Sequence, residues 1–299
     1  MTDIRFALSV DLAKKILGNS SRANEYLLRL NKVKPIKDFD VRTVSRGINR
    51  GQKRVNLNSK DLWQTIAETW NYDISKQIIR DIFKETDKYL NGQEADKSMA
   101  ILIGEWQKLN LGKIAWPFSQ GAFDEFVQRI NSESQNGSIK DEKVHLAAIK
   151  YRRIKEINTV RNDFIETLIF EKNNNILPTL NHRRGVDFFI NGISYDQKVA
   201  KSPTNEFKRK FKDNWRQTAI NNPKLVAEYL YKYQDEGRFG ADPRLLVVYL
   251  DSDVSIDQIR QTINNTDLNK PFEVNFTFNH KLQGEIKYQV PCFVILLHN

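Results

Sequence analysis

Cysteine is almost missing from this chain of 299 residues. Cys292 stands alone, which excludes an internal disulfide. It sits in the apolar run Val290–Leu297 and reads as a buried structural thiol. Histidine is scarce as well. His145, His182, His280 and His298 are scattered, and with one cysteine they give no zinc spacing. No apolar run approaches the roughly 20 residues that a membrane helix needs. The first residues, Met-Thr-Asp-Ile-Arg, do not read as a signal peptide. There is no Gly-x-x-x-x-Gly-Lys loop to cradle a nucleotide and no Gly-x-Ser-x-Gly elbow for acyl transfer. The expectation left by these absences is a cytoplasmic protein with no membrane attachment and no nucleotide cofactor.

Aromatic residues and charge are what the chain has. With 17 Phe, 10 Tyr and 5 Trp it has the material for real cores. Basic residues exceed acidic ones, 47 to 37, and the excess is concentrated. Residues 1–60 hold 14 Lys+Arg against 5 Asp+Glu, while the remainder is nearly balanced. Concentrated positive charge suits a polyanion, and nucleic acid is the commonest one. Lys32, Lys34, Lys37, Arg42, Arg46, Arg50, Lys53 and Arg54 stand among Gly47 and Gly51, with neither helical nor strand periodicity. A basic loop or ribbon tracking phosphates fits this composition, and so does a flexible linker.

Periodicity divides the chain in two. Residues 5–31 read as helical, with a break at Gly18-Asn19 that suits two packed helices better than a helix-turn-helix. Residues 60–133 read as several amphipathic helices. Ser59 would cap the first; others cover about 73–91 and 97–109, and a fourth follows Pro117. Trp63, Trp70, Trp106 and Trp116 read as packing residues. The polar stretch Asn131–Ser138 is the candidate linker, setting a helical, basic, DNA-engaging region at 1–135 apart from a second domain at 140–299. There a long helix runs from about 140 to 172 and stops at Asn173-Asn-Asn175. A hairpin, a helical stretch over 205–235, a buried-type strand over 243–251, a helix over 255–265 and strands near 272–278 and 286–297 follow. The fold class expected is α/β, a helical N-terminal region plus a mixed β-sheet flanked by helices.

The hairpin carries the chemistry. It spans Gly185-Val-Asp-Phe-Phe-Ile-Asn-Gly-Ile-Ser-Tyr-Asp-Gln-Lys198. Asn191-Gly192 is the preferred pair for a two-residue type I′ turn. That turn opposes Ile190 with Ile193, Phe188 with Tyr195, and Asp187 with Asp196. Alternation then puts Asp187, Asp196 and Lys198 on one face and Val186, Phe188, Ile190, Ile193, Tyr195 and Val199 on the other. Like charges directly opposed repel. A hard divalent cation between them turns that liability into a site.

Asp-x8-Asp-x-Lys, with a glutamate on the helix before it, resembles the PD-(D/E)XK nuclease superfamily, type II restriction endonucleases in particular. Asp187 matches the acidic residue that opens one strand, with Val186 in place of the proline of the motif's name. Asp196, Gln197 and Lys198 match the second half, and Glu166, in Phe164-Ile-Glu-Thr-Leu-Ile169, matches the helical carboxylate. Asp163 and Glu171 compete for that last role. The resemblance covers about residues 145–250. Three more acid-x-Lys triplets exist, at Asp141, Glu206 and Glu285, and of these Glu285-Ile-Lys287 also enters a strand.

The resemblance implies a PD-(D/E)XK-like core at 140–299 and a Mg²⁺-dependent endonuclease hydrolysing phosphodiester bonds in double-stranded DNA, sequence-specific as in restriction enzymes. A repair or structure-selective nuclease and an inactive DNA-binding protein of the same fold are the alternatives. Asp187, Asp196 and the Gln197 carbonyl would hold Mg²⁺, Lys198 would orient the attacking water, and Glu166 would complete the shell. Arg42, Arg46, Arg50, Lys53 and Arg54, with Lys201, Lys208 and Arg209 after the hairpin, would contact DNA. Double-strand cleavage by one such site per chain implies a homodimer.

Overall fold

The computed structural model describes residues 3–45, 48, 50–111, 120–181, 185–233, 242–251, 253–280 and 284–299. Trp116, Arg46 and His182 fall outside them.

Short polar residues start the helices. Ser9 caps α1 (Val10–Leu17) and Asn19 caps α2 (Ser20–Val33), each side-chain oxygen accepting a backbone N–H of the first turn. Gly18 lies between them at φ +78°, so the expected break falls there. The basic stretch that follows is a ribbon: β1 (Val41–Thr43) pairs antiparallel with β2 (Lys53–Val55). Asn58, not Ser59, caps α3 (Ser59–Thr69), accepting from the Lys60 and Asp61 N–H groups. Next come α4 (Tyr72–Lys84), α5 (Gly92–Lys108) and α6 (Gln120–Ser132). Asn136 caps α7 (Gly137–Lys172), 36 residues and therefore about 54 Å long. Among the described residues no helix is long and apolar enough to cross a membrane.

After α7 the chain builds one mixed six-stranded sheet in the order β3-β4-β5-β6-β8-β7. β4 (Phe188–Ile190) runs antiparallel to both its neighbours, β3 (Ile176–Pro178) and β5 (Ile193–Ala200). β6 (Arg244–Tyr249) lies parallel between β5 and β8 (Gly284–Leu297), and β7 (Phe272–His280) closes the edge antiparallel to β8. The helical stretch between β5 and β6 is broken into α8 (Asn205–Phe211), α9 (Trp215–Asn221) and α10 (Pro223–Lys232), where Lys212 takes φ +46° and Pro223 opens α10. α11 (Ile256–Asn265) follows β6. β3 is a strand that periodicity does not announce: it has three residues and ends on a proline, at a sheet edge where a missing N–H is tolerated.

β6 is apolar without alternation because both faces of the sheet are covered. Leu245, Val247 and Tyr249 join one apolar cluster, and Leu246 and Val248 join another with Phe207, Val226 and Tyr231 of α8 and α10. The first cluster also contains Ile16, Leu27, Ile66 and Phe83 of the N-terminal helices, together with Phe164 and Phe170 of α7. The core therefore crosses the 131–138 boundary. The chain near its beginning reaches the hairpin directly. Ile4 N–H donates to the Gly192 carbonyl at 3.1 Å, and Trp70 Nε1 donates to the Ile4 carbonyl at 2.7 Å.

Candidate active site

Asn191 and Gly192 take φ +53° and +83°, as a type I′ turn requires. The register matches the expected one for Ile190 opposite Ile193, Phe189 opposite Ser194 and Phe188 opposite Tyr195, but the pairing stops there and does not include the expected Asp187–Asp196 pair. Asp187, just before β4, donates its N–H to the Tyr195 carbonyl at 3.0 Å, the residue that Phe188 already opposes. The Asp187 carbonyl points the other way, accepting from the Thr179 N–H at 2.9 Å. The Gln197 N–H is met instead by the Asp187 carboxylate, with Oδ2 at 2.7 Å. On its other edge β5 turns to β6, the Asp196 N–H donating to the Pro243 carbonyl at 3.2 Å. The backbone thus delivers Asp187 to the Asp196-Gln-Lys198 triplet. Val186, Phe188, Ile190 and Tyr195 are buried, with Ile193 and Val199 half-buried against the same core. Phe189 is buried too, so apolar packing covers the Asp187 face of the hairpin near the turn.

The charges around this junction are closely matched. Asp196 is buried and forms an ion pair with the equally buried Arg244. Its Oδ2 also lies 2.8 Å from Lys198 Nζ, whose side chain is 43% exposed. Arg244 arrives there because it opposes Asp196 in the parallel β5–β6 register. Burial pulls its guanidinium below the usual value, an effect that the charge of Asp187 opposes. Burial pushes the Asp187 carboxyl up; the Gln197 N–H lowers it, and the charge of Glu166 raises it further. Glu166 is raised by burial against the pull of Lys88, whose Nζ is 3.2 Å away, and Asp163 is raised by burial as well.

Of the three helical carboxylates, Glu166 is therefore the one felt at Asp187. Glu171 accepts a hydrogen bond from the Tyr89 hydroxyl. Glu285 and Lys287 are exposed on β8, opposite Asn279 and Thr277 and not opposite an acid.

The expected DNA contacts fall in two groups. Arg42 is exposed and opposes Arg54 across the ribbon; Lys53 and Arg50 are also exposed there. The ribbon is fastened to α2 by the Val55 N–H donating to Asn24 Oδ1 at 2.9 Å. Lys201 is exposed just beyond β5. Lys208 lies over the Trp215 ring at 4.8 Å, its ammonium pulled down by burial and then by Lys201. Arg209 is tied to Glu206 at 2.8 Å.

Sequence reasoning missed two residues. Arg244 had a signal, a charge opening an otherwise apolar strand. Lys88, in the loop after α4, had none. Comparison with known proteins gives no match: no family model fits the chain, and neither the curated proteins nor the solved structures offer a similar one.

Proposed function

We propose that this chain is a Mg²⁺-dependent endonuclease that hydrolyses phosphodiester bonds in double-stranded DNA, sequence-specific in the manner of a type II restriction enzyme. One observation carries the reading. The Gln197 N–H bond to Asp187 Oδ2 docks an aspartate at the head of β4 onto an Asp-x-Lys triplet, within electrostatic reach of the helical Glu166.

The donor set suits a hard divalent cation. Asp187 and Glu166 offer carboxylate oxygens whose ionised forms burial disfavours, and a nearby cation relieves that cost. Mg²⁺ needs only one or two carboxylates, with water and phosphate completing its shell. A cage of three acidic, histidine or cysteine side chains is absent among the described residues and is not required. Asp187 and Glu166 would hold the ion, with the Gln197 carbonyl adjacent and Asp196 joining on release from its cations. Bound there, Mg²⁺ would supply Lewis-acid polarisation of the phosphate and a more acidic water.

The side chains do the rest. Lys198, anchored on one side by Asp196, presents its ammonium to solvent, orients a water and offsets phosphate charge. Lys201 and Lys208 hold the DNA backbone beyond β5, Arg42, Arg50, Lys53 and Arg54 add contacts from the ribbon, and Arg46, outside the described residues, is expected to add another. Arg209 exchanges Glu206 for a phosphate. One such site cuts one strand, so a double-strand break calls for a homodimer.

The buried Arg244–Asp196 pair favours one second reading, a DNA-binding protein of the same fold that does not cut. Incubating the protein with plasmid DNA and Mg²⁺ separates these. Discrete fragments support a restriction enzyme. Smears, or cuts confined to branched substrates, mean a repair nuclease. Binding without cleavage overturns the nuclease reading.

A further inference from the structure

Arg244 is a buried charged group that no catalytic step above uses. It is almost wholly buried, its side chain 5% exposed, and it faces an Asp196 side chain that is 8% exposed. Removing two charges from water costs several kcal/mol per ion, and a pair withstands that cost only when its geometry is good. The geometry here is fixed from both sides. β5 and β6 place the two residues opposite one another, and both flanking segments are bound through the Asp196 N–H to the Pro243 carbonyl. Lys198 adds a second cation to the same carboxylate oxygen. Asp187 and Glu166 are held differently: the first by a backbone N–H, the second by a half-buried lysine.

We propose that Arg244 is the resident counter-cation of Asp196, a positioning residue that fixes this carboxylate under Lys198 and keeps divalent cations off it in the DNA-free protein. The inference rests on the nuclease reading of the site and deepens it. The three carboxylates are not equivalent: Asp187 and Glu166 form the part open to a metal ion, and Asp196 is reserved for the protein's own cations until they are exchanged. A divalent cation at Asp196 carries its charge into the space of a guanidinium, so the two exclude one another.

Titration calorimetry with Ca²⁺ alone tests this on the full chain. Ca²⁺ shares the oxygen-ligand chemistry of Mg²⁺. Arg244→Gln is expected to bind Ca²⁺ at least about tenfold tighter than the unmutated protein, because a fixed positive charge leaves the carboxylate. Arg244→Lys keeps the charge and is expected to stay at the unmutated affinity. Adding Asp196→Asn to Arg244→Gln should abolish the gain. A folded Arg244→Gln protein with unchanged affinity, including one that binds no Ca²⁺ at all, overturns the proposal, and so does a gain that survives Asp196→Asn. Should Arg244→Gln fail to fold, carboxyl ¹³C shifts in the unmutated protein decide. The Asp196 signal is expected to stay fixed throughout a Ca²⁺ titration, and its movement overturns the proposal. The plasmid digest is read independently of these titrations. A protein that never cuts DNA, yet gains Ca²⁺ on Arg244→Gln, keeps this inference and loses the nuclease reading; a cutting protein without that gain does the reverse.

Discussion

Arg80, on α4 at the end of α7, and Arg244, on β6 beside the acidic cluster, are both buried cations, yet they meet different acceptors. Arg80 Nη1 donates to the carbonyls of Phe170 at 3.1 Å, Ile176 at 2.7 Å and Asn173 at 3.4 Å, and its guanidinium lies 4.1 Å from the Phe170 ring centroid. Phe170 and Asn173 carry carbonyls that a helix leaves over at its C-terminal end, and Ile176 opens the edge strand β3. Arg244 meets a carboxylate that a metal ion could also claim. A cation on leftover carbonyls has no competitor and is purely structural. A cation on a buried carboxylate has, on the proposal above, a divalent cation for a competitor. Burial alone therefore does not say which arginine matters for chemistry; the kind of acceptor does.

The largest expected effect belongs to the acidic side. Asp187→Asn should lower cleavage at least about 10³-fold, roughly 4 kcal/mol of barrier, while the fold survives. Near-normal cutting by a folded Asp187→Asn protein would remove the site from the comparison altogether. Arg80→Ala comes next. It strips three carbonyls and a ring of their partner and should cost about 3 kcal/mol of stability in urea denaturation. Its Ca²⁺ affinity should not move, and a tenfold change there would break the distinction between the two arginines.

Replacing Lys201 and Lys208 together by Ala should lower the log–log salt slope of DNA binding by about 1.8, two contacts at roughly 0.9 each. An unchanged slope means neither touches a phosphate. The smallest effect is in pH. Glu166 and Asp187 hold their protons more tightly in the folded chain than in the unfolded one. Without metal their contribution is best at low pH and is lost as pH rises from the unfolded carboxyl range through the raised folded values. The stability difference should therefore shift in favour of Glu166→Gln as the pH of thermal melts rises from about 4 to about 7. A flat or reversed trend would show that Lys88 already neutralises the cluster.

How much of this was legible depends on distance along the chain. The β4–β5 turn and its register could be read because Asn191-Gly192 and alternation are local signals. The end of α7 at Asn173 and the apolar stretch of β6 were equally plain. The break at Asn222-Pro223 carried a local signal too, a cap followed by proline at the first helical position, although the stretch reads at first as one helix. The partners of the acids did not carry one. Arg244 reaches Asp196 only after three helices intervene, and Lys88 reaches Glu166 from before α5. Periodicity tells which residues are buried, not which buried faces meet. For the same reason the joining of the N-terminal helices to the sheet core was invisible, with Ile16 and Phe83 in one cluster with Phe293.

Gly192 sets the order in which the molecule can be finished. A Cβ at this position would fall 2.0 Å from Asp3 Oδ1 and 2.9 Å from Arg5 Cγ, so the segment around Ile4 lies directly on the hairpin turn. During synthesis Ile4 emerges long before the turn it covers, and the pairing closes a loop across most of the chain. Contacts so distant in sequence form late. A nascent chain halted before β4 has α1 to α7 but no place to dock that segment. The acidic junction is likewise missing from such a chain, because Asp196 and Arg244 have not yet been made.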